Sequence, residues 1–92
     1  MAIGNLQVGN YKIKTSSGNV KAASDGAMLG FFCNSTSTGT IIFYDDPATG
    51  TTTPITGTIT PTAGTWYQIP VAFSTGLNAV IANTLNVTIV YV

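Results

Sequence analysis

The chain has 92 residues, of which 45% are hydrophobic and only 7% charged, and its formal net charge is zero. Its cations are Lys12, Lys14 and Lys21, too few to form the basic patch that phosphate recognition needs, so nucleic acid is excluded as a partner. The lack of histidine, glutamate and arginine removes the usual general acid–base groups, most metal constellations and the guanidinium phosphate clamps.

Residues 1–9 carry apolar Ile3, Leu6 and Val8, interrupted by Gly4 and Gly9, and read as either a first edge strand or an extended N-terminal arm. Residues 11–15 alternate cleanly, with Tyr11, Ile13 and Thr15 on one face and Lys12 and Lys14 on the other. That pattern predicts a half-exposed strand whose lysines discourage unwanted edge pairing. Residues 16–19 predict a turn and 20–23 a short strand. Asp25-Gly26 is a two-residue hairpin signal. Residues 27–34 are apolar on both faces and predict an internal strand, with Gly30 marking a bulge or the close approach of another backbone. A small-polar loop over 35–39 follows.

The stretch 40–46, Thr-Ile-Ile-Phe-Tyr-Asp-Asp, is the element around which the rest is expected to pack. It is a run of β-branched and aromatic residues closed by an Asp-Asp-Pro turn signal. Ile41 and Phe43 point to one face and Ile42 and Tyr44 to the other, so both faces should be covered. A Thr- and Gly-rich loop leads to a thin strand over 55–60 and a turn over 61–65. Residues 66–71 form a strand that Pro70 confines to an edge or a bulge. After a turn at 74–76, strands over 77–82 and 86–92 close the chain, joined by 83–85. About eight short strands at regular spacing, with no helix, predict a single all-β domain. A β-sandwich or small barrel fits, with a jelly-roll arrangement among the options.

Chemistry is sparse. Cys33 has no imidazole to activate it and lies among aromatic residues, so it reads as a buried, inert thiol. Adjacent Asp45 and Asp46 point to opposite sides of a strand with no third acid nearby, which favours a strand-ending turn over a calcium site. Trp66 and Tyr67 are neighbours, so one ring should face the core and the other should face outward, against a partner protein or a sugar. Asn34-Ser35-Thr36 and Asn86-Val87-Thr88 match the glycosylation acceptor pattern but read as chance matches in a Thr-rich chain. No catalytic, cofactor or metal residue is assigned, and no enzyme activity is expected.

A chain of this length buries only about 60–65% of the surface its unfolded form exposes, so its own core is modest. A lone cysteine cannot supplement that core with a disulfide. No charged side chain follows Asp46, and a near-neutral, charge-free half promotes association. No apolar run approaches the length of a membrane span, and Met-Ala-Ile-Gly-Asn-Leu lacks the basic start of a signal peptide. Release by lysis or as part of a particle is therefore expected.

Three motifs, TGTIIFYDD, PITGTITPTAGTWYQIPVAFSTGLNAVI and NVTIVYV, fall within a region that covers a little over half the chain. Over 39–92 the chain resembles a small β-domain of tailed-phage virion proteins, of the capsid decoration (cement) or head-fibre type. The resemblance implies a structural role as an oligomer on a particle, with no cofactor. It implies that the protein is made in the host cytoplasm and resides on the capsid surface. Its expected partners are the major capsid protein and itself, with a homotrimer as the expected assembly. Candidate partner contacts are Ile3, Leu6, Val8, Trp66 and Tyr67. The alternative is a carbohydrate- or receptor-binding module of a fibre or tail, with Trp66, Tyr67 or Tyr44 exposed beside Gln68 or Asn78.

Overall fold

A computed structural model describes residues 9–92. It is all-β: β1 (Asn10–Lys14), β2 (Gly18–Lys21), β3 (Gly26–Tyr44), β4 (Trp66–Phe73) and β5 (Leu77–Tyr91). They form one antiparallel sheet in the order β1-β5-β3-β4, with β2 also paired to β5.

The organising stretch is where the residues place it, at the end of β3. Ile41 and Phe43 are fully buried. Ile42 and Tyr44, on the opposite face, are half-buried. Fewer and longer strands form than the turn signals predict. Residues 27–34 and 40–44 belong to a single strand of 19 residues, and 77–82 and 86–91 to one of 15. The intervening small-polar segments stay in the ladder, because each lies opposite the other: Thr36 pairs with Leu85 and Thr40 with Ala82. Residues 55–60 form no strand and meet β3 through an isolated bridge, Ile59 to Ile41, and through the Ile55 N–H, which donates to the Phe43 carbonyl at 2.7 Å. Asp25-Gly26 does not close a hairpin, since β2 pairs with β5 and β3 with β4 and β5.

Both long strands fold over. Twelve residues of extended chain span about 40 Å. Yet the rings of Phe31 and Phe43, twelve positions apart on β3, have centroids 5.5 Å from each other. The corner lies where the register shifts, between Cys33 and Ser35 and between Ser37 and Thr38. Thr38 and Asn83 adopt positive φ there, 56° and 61°. Asn83 Nδ2 donates to the Thr38 carbonyl at 2.9 Å, and the Gly39 N–H donates to Thr36 Oγ1 at 3.0 Å. Gly39 is required at the corner, because a Cβ there would sit 2.5 Å from the Thr84 carbonyl oxygen and 2.7 Å from Leu85 Cβ.

The sheet therefore doubles into two layers. One holds β1, β4 and the adjoining halves of β5 and β3; the other holds β2 and the remaining halves, flanked by the bridges at Pro54 and Ile59. A single core lies between them, built from Val20, Met28, Phe31, Cys33, Ile41, Phe43, Phe73, Leu77, Ala79, Leu85, Val87 and Ile89. Burying each large apolar side chain contributes about 1.5–3 kcal/mol, so this shared core is the main source of stability. The principal extents are 40 × 29 × 18 Å, and the short one fits two layers about 10 Å apart plus their outer side chains.

The edges are as the residues require. Pro70, which has no N–H to give a ladder, lies on β4 at the sheet edge. Gly30 sits at a register shift against both neighbours, and its backbone packs against Tyr67 and the Trp66 ring. β1 is also an edge, but its facing inverts the reading by polarity. Lys12 and Lys14 are in register with buried Ile89 and Val87 and so lie on the core side. Tyr11 and Ile13 stand outside, 70% and 55% exposed. The lysine stems can run along the rim of the core with their charges in water, and inward-pointing charges protect an edge from further pairing.

Candidate functional site

The register of four strands assembles a surface that no local segment contains. Ile13 on β1 is paired with Thr88 on β5, Thr88 with Phe32 on β3, and Phe32 with Trp66 on β4. Directly paired residues share a face, so these four form one row across the outer face of the layer. Phe32 is 37% exposed and Trp66 44%. The next row runs Tyr11, Val90, Gly30 and Gln68. The absence of a side chain at Gly30 is what lets the Trp66 indole lie down on the sheet: a Cβ there would be 2.8 Å from indole Cζ2.

None of the described charged side chains belongs to this face. Lys12 and Lys14 are on the core side, Lys21 is on β2 in the other layer, and the three aspartates lie in connections. The polar residues beside the row are engaged with one another. Asn34 Nδ2 donates to Asn86 Oδ1 and to Thr88 Oγ1, each at 2.9 Å. Both N–H groups of the Asn34 amide are thus taken within the chain.

The aromatic pair divides as expected. Trp66 faces out, and Tyr67 is half-buried with its ring stacked on Phe31 at 4.9 Å and 15°. The Tyr67 hydroxyl accepts the Thr62 N–H at 2.8 Å. Tyr67 is therefore a packing residue, and the structure does not bring it together with Trp66 on one surface. Ile3, Leu6 and Val8 lie outside the described residues. Of the residues considered for sugar contact, Gln68 is exposed near Trp66, Tyr44 is half-buried, and Asn78 is buried with its Nδ2 donating to the Gly50 carbonyl at 3.0 Å. Residues missed from sequence are Ile13, Phe32 and Tyr11. Their common exposure depends on strand register, which leaves no local signal.

The acidic pair holds loops. Asp45 accepts the N–H groups of Ser74 and Thr75 at 2.8 and 2.9 Å and the Thr75 hydroxyl at 2.9 Å. The Ser74 N–H, followed by that of Thr75, holds its carboxyl below the usual range. Asp46 Oδ1 accepts the N–H groups of Ala48 and Gly50 at 2.8 and 2.9 Å. Among the described residues no three His, Cys, Asp or Glu side chains gather where they could hold a metal ion. Cys33 is a fully buried free thiol, and burial pushes it up from its ordinary range, away from the thiolate a nucleophile needs. No helix among the described residues is long and apolar enough to cross a membrane.

Comparison with protein-family models, curated proteins and solved structures finds no match to this chain.

Proposed function

We propose that this protein is a non-enzymatic structural component of a bacteriophage virion, a capsid decoration protein that bridges capsid subunits and associates with itself. The observation that carries the reading is the uncharged outer face of Ile13, Phe32 and Trp66, with Tyr11 beside them. Exposed apolar patches of this kind, rimmed by polar residues, characterise protein contact surfaces. The resemblance of residues 39–92 to virion β-domains supplies the setting. Residue types suited to acid–base or phosphate chemistry are missing from the whole sequence, which supports a role in contact rather than turnover.

Such a protein works by numerous modest contacts, which icosahedral repetition multiplies through avidity. Residues 1–8, carrying Ile3, Leu6 and Val8, are proposed as an arm that reaches a neighbouring capsid subunit. The test is the protein content of density-purified virions from the source of the gene. Recovery in many copies per particle supports the reading, and absence from intact particles overturns it. Deleting 1–8 should weaken particle attachment with the fold intact; undiminished attachment removes the arm.

A second reading has one observation in its favour: Trp66 and Gln68 are both exposed and lie two residues apart on one face of β4, as a stacking ring and hydrogen-bonding group for a sugar would. Against it, Asn34 has both N–H groups occupied within the chain.

A further inference from the structure

We propose that Asn19 and Asn78 form a binding site for one internal water, shared between their side-chain oxygens, which ties the loop over 46–50 to the sheet. Asn19 on β2 is in register with Asn78 on β5, and Asn78 with Tyr44 on β3. The three therefore share one face of the second layer. Leu77 and Ala79 point into the core, so Asn78, between them, points away from it. Yet Asn78 is only 1% exposed. The loop over 46–50 lies against it: Asn78 Nδ2 donates to the Gly50 carbonyl and Asn19 Nδ2 to the Ala48 carbonyl, each at 3.0 Å.

The observation that carries the site is Asn78 Oδ1, a buried acceptor with no hydrogen-bond partner among the described residues. Exchanging the two ends of the amide does not help, because an oxygen would then face the Gly50 carbonyl. A buried acceptor left unpaired is costly, and native proteins satisfy such groups from the chain or with ordered water. Asn19 supplies the second contact. Its Nδ2 also donates to the carbonyl of Leu77, the residue before Asn78, at 3.3 Å, so its amide leans across to β5. Both amides thus spend Nδ2 on backbone carbonyls, and Asn19 Oδ1 takes no hydrogen bond from any described residue. Two acceptors on directly paired residues call for two donors, and one water carries two. A cation is the other species that oxygens could hold. Asp46 is the only acid on this loop, and its Oδ1 already accepts the Ala48 and Gly50 N–H groups. One carboxylate is a poor start for the oxygen cage of a hard cation, which favours water. Residues 47–49 are exposed and belong to no strand, so the two amides and their water are the ties between this loop and the sheet beneath it.

The experiment is water-to-protein NMR on the intact chain, read at the assigned side-chain amides of Asn19 and Asn78. A water that tumbles with the protein gives NOESY cross-peaks of the same sign as the diagonal. Its ROESY peaks have the opposite sign, which separates contact from proton exchange. The expected result is such a water at both amides. Asn19→Ala should abolish the cross-peak at Asn78, and Asn78→Leu should abolish the one at Asn19, each with an unchanged β-sheet circular dichroism spectrum. If Asn78→Leu fails to fold, Asn19→Ala decides, since Asn19 is only half-buried on a four-residue strand. Three results overturn the proposal. The first is transient surface hydration alone at both amides. The second is a long-lived water at Asn78 that Asn19→Ala leaves in place, which would mean that the site is not shared. The third is a thermal midpoint that calcium raises in the wild type and not in Asn78→Leu or Asn19→Ala, which would put a cation between the oxygens. None of the three bears on the virion reading, which particle composition decides separately.

Discussion

Phe31 and Phe43 belong to the same strand, twelve residues apart, and their rings meet at 5.5 Å with a 46° tilt. One strand thus supplies both walls of the core. Phe31 is also stacked on Tyr67, so the tilted pair extends into a three-ring cluster linking the two layers and β4. Such pairs contribute about 0.5–1.5 kcal/mol beyond the area they bury.

Phe43→Ala should therefore cost about 3–5 kcal/mol, from lost transfer energy and the cavity left behind. Net stability of a domain this small is itself only a few kcal/mol, so the variant should be largely unfolded at 25 °C. Urea denaturation followed by circular dichroism checks this; a variant that keeps the wild-type midpoint would remove the doubled strand from the centre of the fold.

The facing of β1 has a clean test. Ile89 and Ile13 are the same residue type on adjacent strands, one fully buried and one 55% exposed. Ile89→Ala should cost about 2–5 kcal/mol, and Ile13→Ala should stay within about 0.5 kcal/mol in the monomer. Comparable losses at the two sites would place Tyr11 and Ile13 on the core side and the lysines outside.

The corner depends on a missing side chain. Gly39→Ala puts a methyl group against the Thr84 carbonyl and Leu85 Cβ, both backbone-proximal atoms that cannot rotate away. The expected loss is about 1–3 kcal/mol, typical of overpacking, whereas Gly57→Ala, with open space around it, should be nearly neutral. Thermal midpoints of the two variants, measured side by side, separate the corner from a general glycine effect.

Asp45 links the turn after β4 to the end of β3, and its carboxyl is held below the usual range by the Ser74 and Thr75 N–H groups. A folded-state value below the unfolded one adds stability that is present above the unfolded value, about 3.9, and is lost as pH falls through the folded value. The thermal midpoint should therefore drop on acidification below about pH 4, and Asp45→Asn should flatten that drop while lowering the midpoint at pH 7. Parallel acid profiles for the two proteins would show that Asp45 is not the group responsible.

Tyr67→Phe keeps the stack on Phe31 and removes the acceptor for the Thr62 N–H. Since Thr62 is exposed, water can take that N–H, and the loss should be about 0.5–1.5 kcal/mol. A loss above about 3 kcal/mol would mean the hydroxyl does more than pin the 61–65 turn.

What the sequence by itself determined is local in origin. Ile41, Phe43, Val87 and Ile89 announce strands through β-branched and aromatic composition and through period-two spacing. Pro70 announces an edge because it lacks an N–H, and Trp66-Tyr67 announces one ring in and one ring out because adjacent residues on a strand must diverge. The inert burial of Cys33 and the turn-forming role of Asp45 and Asp46 were legible in the same way, from side-chain chemistry. Tertiary structure alone decided the rest. Whether 35–39 is a loop or a bend inside β3 depends on what lies opposite it on β5, nearly fifty residues away, and the small polar residues there have no local preference to reveal it. The exposure of Tyr11 and Ile13 runs against their hydrophobicity because β1 takes its facing from the register with Val87 and Ile89. The row from Ile13 to Trp66 exists only once four strands are aligned. Pairing energy is gained between segments distant in sequence, so the surface this protein presents to a partner is a property of register and not of any stretch of its chain.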